Sequence, residues 1–341
     1  MKRKFIFISL IICFFASYFL YCKNVSNEFG KVKEVKAQTA PVDYNDVIFL
    51  HHSTGQGLID GGNVRKLLTD LGYQFWDHGY NSQGLTLPNG TSAGYNYNIP
   101  NDNTDPIGLV TTFELPFDAS SPAHPSQPTN ALSGLLRHKV IAFKSCFPAS
   151  AIYNDAMLNQ YKDYYLRIRN VTDKYRDHIF IAFSTPPLHP SSTDSQQATR
   201  ARAFANWLKS PEYLDGHPNL FAFDFFDLLA APADATTEAN MLRAEYRPPY
   251  VDSHPNALAN QTIGPIFVNF IDNAAKSYNP NSWPIKSLLG DLNGDNVVNK
   301  VDVDELLNNW GYFPRNVKAD TDINGVVNGV DFALVIKDWG R

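Results

Sequence analysis

The chain has 341 residues, of which 44% are apolar and 18% charged, with a formal net charge of −5. That length holds one large domain and something small, and that apolar share supports a real core. No basic field is available to grip a nucleic acid backbone, so nucleic acid is not an expected partner.

The N-terminus reads as an address rather than as fold. Met1, Lys2, Arg3 and Lys4 form a basic start, and residues 5–22 are an uncharged, mostly apolar run. The pattern over residues 1–22 is that of a secretory signal or an uncleaved anchor, near the lower length limit for spanning a bilayer. An exported, extracellular or cell-surface protein is expected, with membrane contact only if the segment is retained. Residues 23–42 read as a polar spacer. Cys13 and Cys22 fall in the export segment, which leaves Cys146 alone in the mature chain and allows no intramolecular disulfide.

Residues 43–278 alternate short apolar runs with longer helical patterns. The runs are at 47–50, 73–77, 139–144, 178–184 and 220–225; the helical patterns are near 63–71, 154–175, 195–209 and 257–278. This alternation predicts a flavodoxin-like three-layer α/β/α sandwich with a mostly parallel five-stranded sheet. Sites in such sheets form at the carboxyl ends of strands. The polar residues that follow the runs should therefore converge: His51, His52 and Ser53; Asp77, His78 and Gly79; Ser145 and Cys146; Thr185 and His189. Residues 84–137 are rich in Asn, Gly, Pro, Ser and Thr, with one short apolar piece at 107–115. They read as a long loop that either walls the site or is an inserted segment.

Two stretches carry the chemistry. His51-His52-Ser53-Thr54-Gly55 leaves the first strand for a helical segment, so the Ser53 hydroxyl lies near backbone N–H groups able to stabilise an oxyanion. Asp252-Ser253-His254 stands just before the last apolar helix. Together they offer a nucleophile, an orienter and a base; equally, Ser53 could simply cap its helix. His51, His52, Asp252 and His254 could form a metal set, but adjacent histidines on a strand point to opposite faces, so only one would reach the pocket. Cys146 as a nucleophile would need a base beside it; otherwise it is a small apolar residue under the site. Asp77 and His78 offer a second acid–base pair or a pocket lining, and His189 and His217 receive no role.

The order of these elements resembles the SGNH (GDSL-like) hydrolases, over roughly residues 46–278. The resemblance implies Ser53 as nucleophile, His254 as general base and Asp252 as its orienter. It also implies the N–H of Ser53 as one oxyanion donor and Gly79 or Gly84 as the glycine donor. The chain departs from the family pattern in three places. The serine sits in His-His-Ser-Thr-Gly rather than Gly-Asp-Ser, and the late motif is Asp-x-His. The asparagine expected after the third strand is absent, and Lys144, Ser145 and Cys146 stand there instead. Losing one such donor costs roughly 10²–10³ in rate, so a replacement is needed; Lys144, Ser145 and Asn81 are the candidates. The implied reaction is ester hydrolysis with no cofactor in this domain. The rival reading is a non-catalytic glycan-binding or surface-assembly protein on the same fold. A glycosidase with paired carboxylates finds no convincing pair in the sequence.

After a linker at 279–288, the tail (289–341) repeats itself. Asp291, Asn293, Asp295, Val297, Asn299 and Asp302 occupy loop positions 1, 3, 5, 7, 9 and 12, and Asp320, Asp322, Asn324, Val326, Asn328 and Asp331 do so again 29 residues later. Calcium takes six to eight oxygens, with a backbone carbonyl at position 7 and a sharp turn at position 6. Each loop runs into a helix-like segment ending in Trp-Gly. The duplicated loop and helix, with Asp at position 12, resembles a type I dockerin. The resemblance implies a small all-α module with two calcium ions and a cohesin-like protein partner, of the kind found on polysaccharide-degrading assemblies. Positions 10 and 11 are Lys300-Val301 and Gly329-Val330 rather than a Ser/Thr pair. The whole chain then reads as an exported serine esterase that removes acyl groups, acetyl first, from polysaccharide, tethered through its tail.

Overall fold

The computed structural model describes residues 44–103, 105–123, 125–235, 237–282, 290–293, 298–312, 317–322 and 325–339. The export segment and spacer expected at 1–42 lie outside the described residues, as do most of the linker and Asp295, Val297 and Asn324 of the tail loops. Among the described residues no helix is long and apolar enough to cross a membrane.

The main body is built on a six-stranded sheet in the order β3-β2-β1-β4-β5-β6. Its strands are β1 (Asp46–Leu50), β2 (Gln74–His78), β3 (Leu85–Thr86), β4 (Val140–Phe143), β5 (Ile179–Phe183) and β6 (Leu220–Phe223). All neighbours are parallel except β2 and β3. The five expected strands are present, and the expected count is corrected by β3. A two-residue antiparallel edge strand is too short to show an alternating pattern. β4, β5 and β1 after Asp46 are unbroken apolar runs because both faces are covered.

One face packs against α3 (Pro106–Phe113), α5 (Asp155–Thr172) and α6 (Ser195–Leu208). Ile48, Leu50, Ile141, Phe143 and Phe180 meet Phe113, Tyr165, Ile168 and Phe204 there. The short helices α4 (Ala131–Leu135), α7 (Pro211–Leu214) and α8 (Phe225–Leu229) complete the connections. The expected long loop at 84–137 is therefore corrected. Asp105 accepts from the Ile107 N–H at 3.0 Å and Pro106 opens α3, whose Leu109, Val110 and Phe113 are buried in the core.

The other face is covered by α1 (Ser53–Gly61), α2 (Val64–Asp70) and α9 (Ala257–Ser277). Phe267 of α9 packs its ring 5.2 Å from Phe49, 4.8 Å from Phe183 and 5.1 Å from Phe223. α1 and α9 cross almost backbone to backbone. A Cβ on Gly264 would stand 2.3 Å from the Gly62 carbonyl oxygen, and one on Gly61 would stand 2.8 Å from Asn260 Cβ. Only glycine permits that approach. The crossing matters for the site because Ser53 begins α1 and His254 lies just ahead of α9.

The tail has its own small core of Leu292, Val298, Leu306, Ala319, Val327 and Val335. It contains α10 (Lys300–Asn308) and α11 (Gly329–Lys337), each opened by a reciprocal capping box: Asn299 with Asp302, and Asn328 with Asp331. An antiparallel pair, β7 (Gly311–Tyr312) with β8 (Val326–Val327), joins the two repeats, so the module is not wholly α.

Candidate active site

The sheet turns its connection from β2 back across β1 to β4. That places the topological switch point at the carboxyl ends of β1 and β4, where ligands bind in such sheets. Ser53 is the first residue of α1 at this edge. The helix cap is His52, in extended conformation with no side-chain capping bond, so Ser53 is not the cap that the alternative reading requires. Its hydroxyl instead donates to His254 Nε2 at 2.7 Å. His254 Nδ1–H donates to Asp252 Oδ1 at 2.7 Å, and the same oxygen accepts the His254 backbone N–H at 3.1 Å. The two-residue spacing of Asp252 and His254 closes because the carboxylate folds back over both groups.

Burial pushes the Asp252 carboxyl up, but the hydrogen bonds from the His254 ring and backbone outweigh it. The group is held below the usual carboxylate range. It therefore stays ionised and fixes the His254 tautomer with Nε2 open to the serine. The His254 side chain is 42% exposed and the Asp252 side chain 29%, so reactants reach the base directly. The edge of the Phe147 ring lies against His254, centroids 5.2 Å apart. Ser253 takes the His189 backbone N–H on its hydroxyl at 3.0 Å, and the Asn256 amide donates to the Glu245 and Arg247 carbonyls. These bonds hold the loop that presents the pair. His189 thus contributes through its backbone, a role no side-chain pattern reveals.

The remaining expected site residues divide. Gly84 spends its N–H on the Tyr80 carbonyl at 2.9 Å, within a turn where its φ is +73°. That leaves Gly79 as the glycine whose N–H has no partner among the described residues. His78 secures it, donating from Nδ1 to the Gly79 carbonyl at 2.7 Å and accepting the Tyr97 N–H on Nε2 at 2.9 Å. The Asn81 side chain clamps Ile99, donating to its carbonyl and accepting its N–H, both at 2.9 Å. These bonds fasten the following segment. The Ser145 hydroxyl faces Tyr165 in the opposite core at 3.4 Å. Lys144 is fully buried and donates from Nζ to the Ser145 carbonyl at 2.9 Å.

His51 is buried, with Nδ1 against the His52 carbonyl and Nε2 against Asp77. Asp77 also holds Arg65, which donates to the Phe75 and Leu87 carbonyls. This network joins β1, β2 and α2 and engages both ring nitrogens of His51. Cys146 is a free, buried thiol.

No protein-family model and no curated protein matches the chain. Among solved structures it is similar to a candidate acylhydrolase from Bacteroides fragilis, at 12% identity and a TM-score of 0.41, covering 68% of this chain and 88% of that one. It is also similar to a candidate platelet activating factor from Streptococcus pneumonia, at 12% identity and a TM-score of 0.40, covering 69% and 86%. Likeness at that level assigns no activity to this chain.

In the tail, Asp320, Asp322 and Asp331 offer ligand atoms that all lie within 4.8 Å of one another, the one such group of three acidic, His or Cys side chains among the described residues. Gly325 at position 6 has φ +87°, and its N–H donates to Asp320 Oδ2 at 2.8 Å. Asn328 caps α11, and its amide donates to the Val326 carbonyl at 3.1 Å. In the first loop Asp302 is buried and accepts the N–H groups of Leu292, Asn293 and Asn299. Asp291 and Asn293 stand at the loop entrance, and Asn299 caps α10.

Proposed function

We propose that the protein is an exported serine esterase of the SGNH type that removes acyl groups, acetyl first, from polysaccharide. The observation that carries the reading is the continuous chain Asp252–His254–Ser53, closed by hydrogen bonds at the switch-point edge of the sheet. His254 takes the Ser53 proton as Oγ attacks the ester carbonyl, giving a tetrahedral oxyanion beside the Ser53 and Gly79 N–H groups. Collapse expels the alcohol, which takes the proton back from Nε2. Water, deprotonated by the same nitrogen, then frees the acid and restores Ser53. The exposure of His254 favours a substrate that lies across an open edge, as an ester on a polymer does.

The tail is read as a dockerin-like tether. Asp320, Asp322, Asn324, Val326, Asn328 and Asp331 would hold one calcium ion. Asp291, Asn293, Asp295, Val297, Asn299 and Asp302 would hold a second. The acidic side chains drawn together in the second loop, with a glycine in the left-handed region at the turn, fit a hard oxygen-bound cation. Such ions supply folding energy to a module whose own core is small. A cohesin-like protein is the partner this tether would take.

The test is hydrolysis of p-nitrophenyl acetate and acetylated xylan by the mature protein beside Ser53→Ala. The reading requires release of p-nitrophenol and acetate by the wild type and none above background by the variant. Turnover that survives Ser53→Ala contradicts it.

A further inference from the structure

The asparagine donor of the family pattern is missing, yet the residues in its place are not idle. Lys144 is fully buried, pairs with no carboxylate among the described residues, and has its amine on the Ser145 carbonyl. A buried amine without an acid partner is costly to keep, and burial pushes this one below the ordinary lysine range. The hydrogen bond it makes to the Ser145 carbonyl fixes the direction of the peptide that joins Ser145 to Cys146. The peptide is planar and trans. With its C=O drawn inward to Lys144, its N–H, on Cys146, points the opposite way. That N–H has no acceptor among the described residues, in a residue only 4% exposed. Buried donors of this kind are rarely left unpaired without a reason.

The surroundings say where it points. The Lys144 N–H donates to the Leu50 carbonyl at 3.2 Å, which ties the end of β4 to the end of β1. The next residue along, Phe147, lays its ring against His254. Ser53, Gly79 and Cys146 thus follow three adjacent strands, β1 with β2 and β4 on either side.

We propose that the Cys146 backbone N–H is the third oxyanion donor of this site, replacing the absent asparagine, and that Lys144 is the positioning residue that aims it. The inference rests on the esterase reading above. It assigns Lys144 no contact with substrate: the amine acts through the Ser145 carbonyl.

The experiment compares Lys144→Met with the wild type in p-nitrophenyl acetate hydrolysis, phenylboronic acid inhibition and thermal unfolding. Boronic acids form a tetrahedral adduct on the serine and so report the oxyanion site. The expected result is a fall in kcat of about 10²-fold with KM little changed and boronate inhibition weakened by a similar factor. The melting temperature should not fall, because methionine fills the same buried space without an amine. A purely structural lysine predicts the reverse, a lower melting temperature with kcat retained in the folded fraction. A second variant carries the α-hydroxy analogue of cysteine at position 146, which deletes the N–H and leaves Lys144 in place. It should lose kcat by a similar factor even if Lys144→Met does not fold. Wild-type kcat in either folded variant overturns the proposal. Turnover surviving in Ser53→Ala overturns the esterase reading instead.

Discussion

Among the described residues, two chains of aspartate, histidine and hydroxyl lie at opposite ends of the same sheet. At the carboxyl ends of the strands, Asp252, His254 and Ser53 are linked at 2.7 and 2.7 Å. At the amino ends, Asp46 accepts from His138 Nδ1 at 2.8 Å, and His138 Nε2 meets the Tyr97 hydroxyl at 2.9 Å. By distance alone the two are equivalent. The environment separates them. His254 is two-fifths exposed, whereas His138 is fully buried beneath Trp76 and Tyr97. Burial pushes the Tyr97 phenol far above its ordinary range, so it stays a neutral donor. Ser53 begins a helix beside open N–H groups; Tyr97 is sealed in the core. A relay geometry becomes chemistry only where the hydroxyl can meet a carbonyl and a charge can be received.

The comparison can be broken by exchanging the roles. The largest effect belongs to the hydroxyls. Ser53→Ala should lower ester turnover by about 10⁴-fold or more, measured by p-nitrophenol release. Tyr97→Phe should leave kcat unchanged and cost about 1–2 kcal/mol in urea unfolding, for one buried hydrogen bond.

The carboxylates come next. Asp252→Asn should lower kcat by about 10²–10⁴-fold, because the wrong His254 tautomer is then favoured. Asp46→Asn should shift only the unfolding midpoint. The pH dependence of stability sharpens the same contrast. The Asp252 carboxyl is held low in the folded state, so its pairing stabilises the protein above the ordinary carboxylate range. That contribution is lost as pH falls through the lowered value. Asp252→Asn should therefore flatten part of the acid limb in a series of urea unfolding curves.

A smaller effect acts through the helix crossing that brings Ser53 to His254. Gly264→Ala puts a methyl 2.3 Å from the Gly62 carbonyl oxygen, which forces α1 and α9 apart. About 1–3 kcal/mol of stability should go, with a fall in kcat of up to about 10²-fold for a misplacement of an ångström. The Asp46 relay should be untouched, as judged by hydrogen exchange at β1. If the tail holds calcium as proposed, EGTA should lower its melting temperature and leave esterase kcat unchanged. A fall in kcat on chelation would mean that the two parts are not independent.

How much was legible follows from which interactions leave a trace in residue type. The strands at 47–50, 139–144 and 178–184 were readable because both faces are buried and residues 47–50, Val140–Phe143 and Ile179–Phe183 are unbroken apolar runs. β3 left no trace in two residues, and α3 was hidden because its cap, Asp105-Pro106, sits in a stretch otherwise rich in turn formers. Ser53, Asp252 and His254 were nameable because each stands at the junction of an apolar run and a polar turn. Among the oxyanion candidates, the resemblance named the Ser53 N–H but left Gly79 and Gly84 open, because a donor's availability depends on which carbonyls have already been satisfied. Gly79 and Gly84 look alike in sequence, and only the Tyr80 carbonyl distinguishes them. Asn81, a donor candidate by residue type, holds the Ile99 backbone through both ends of its amide. Cys146 offers a backbone N–H, which no residue type advertises.

The most direct test of the central claim is intact-mass analysis after brief exposure to a fluorophosphonate, which phosphonylates only an activated serine. The account predicts a single adduct mapped to Ser53, lost in His254→Ala and formed at the wild-type rate in Tyr97→Phe. An adduct on another residue, or labelling of Ser53 that is indifferent to His254, would contradict it.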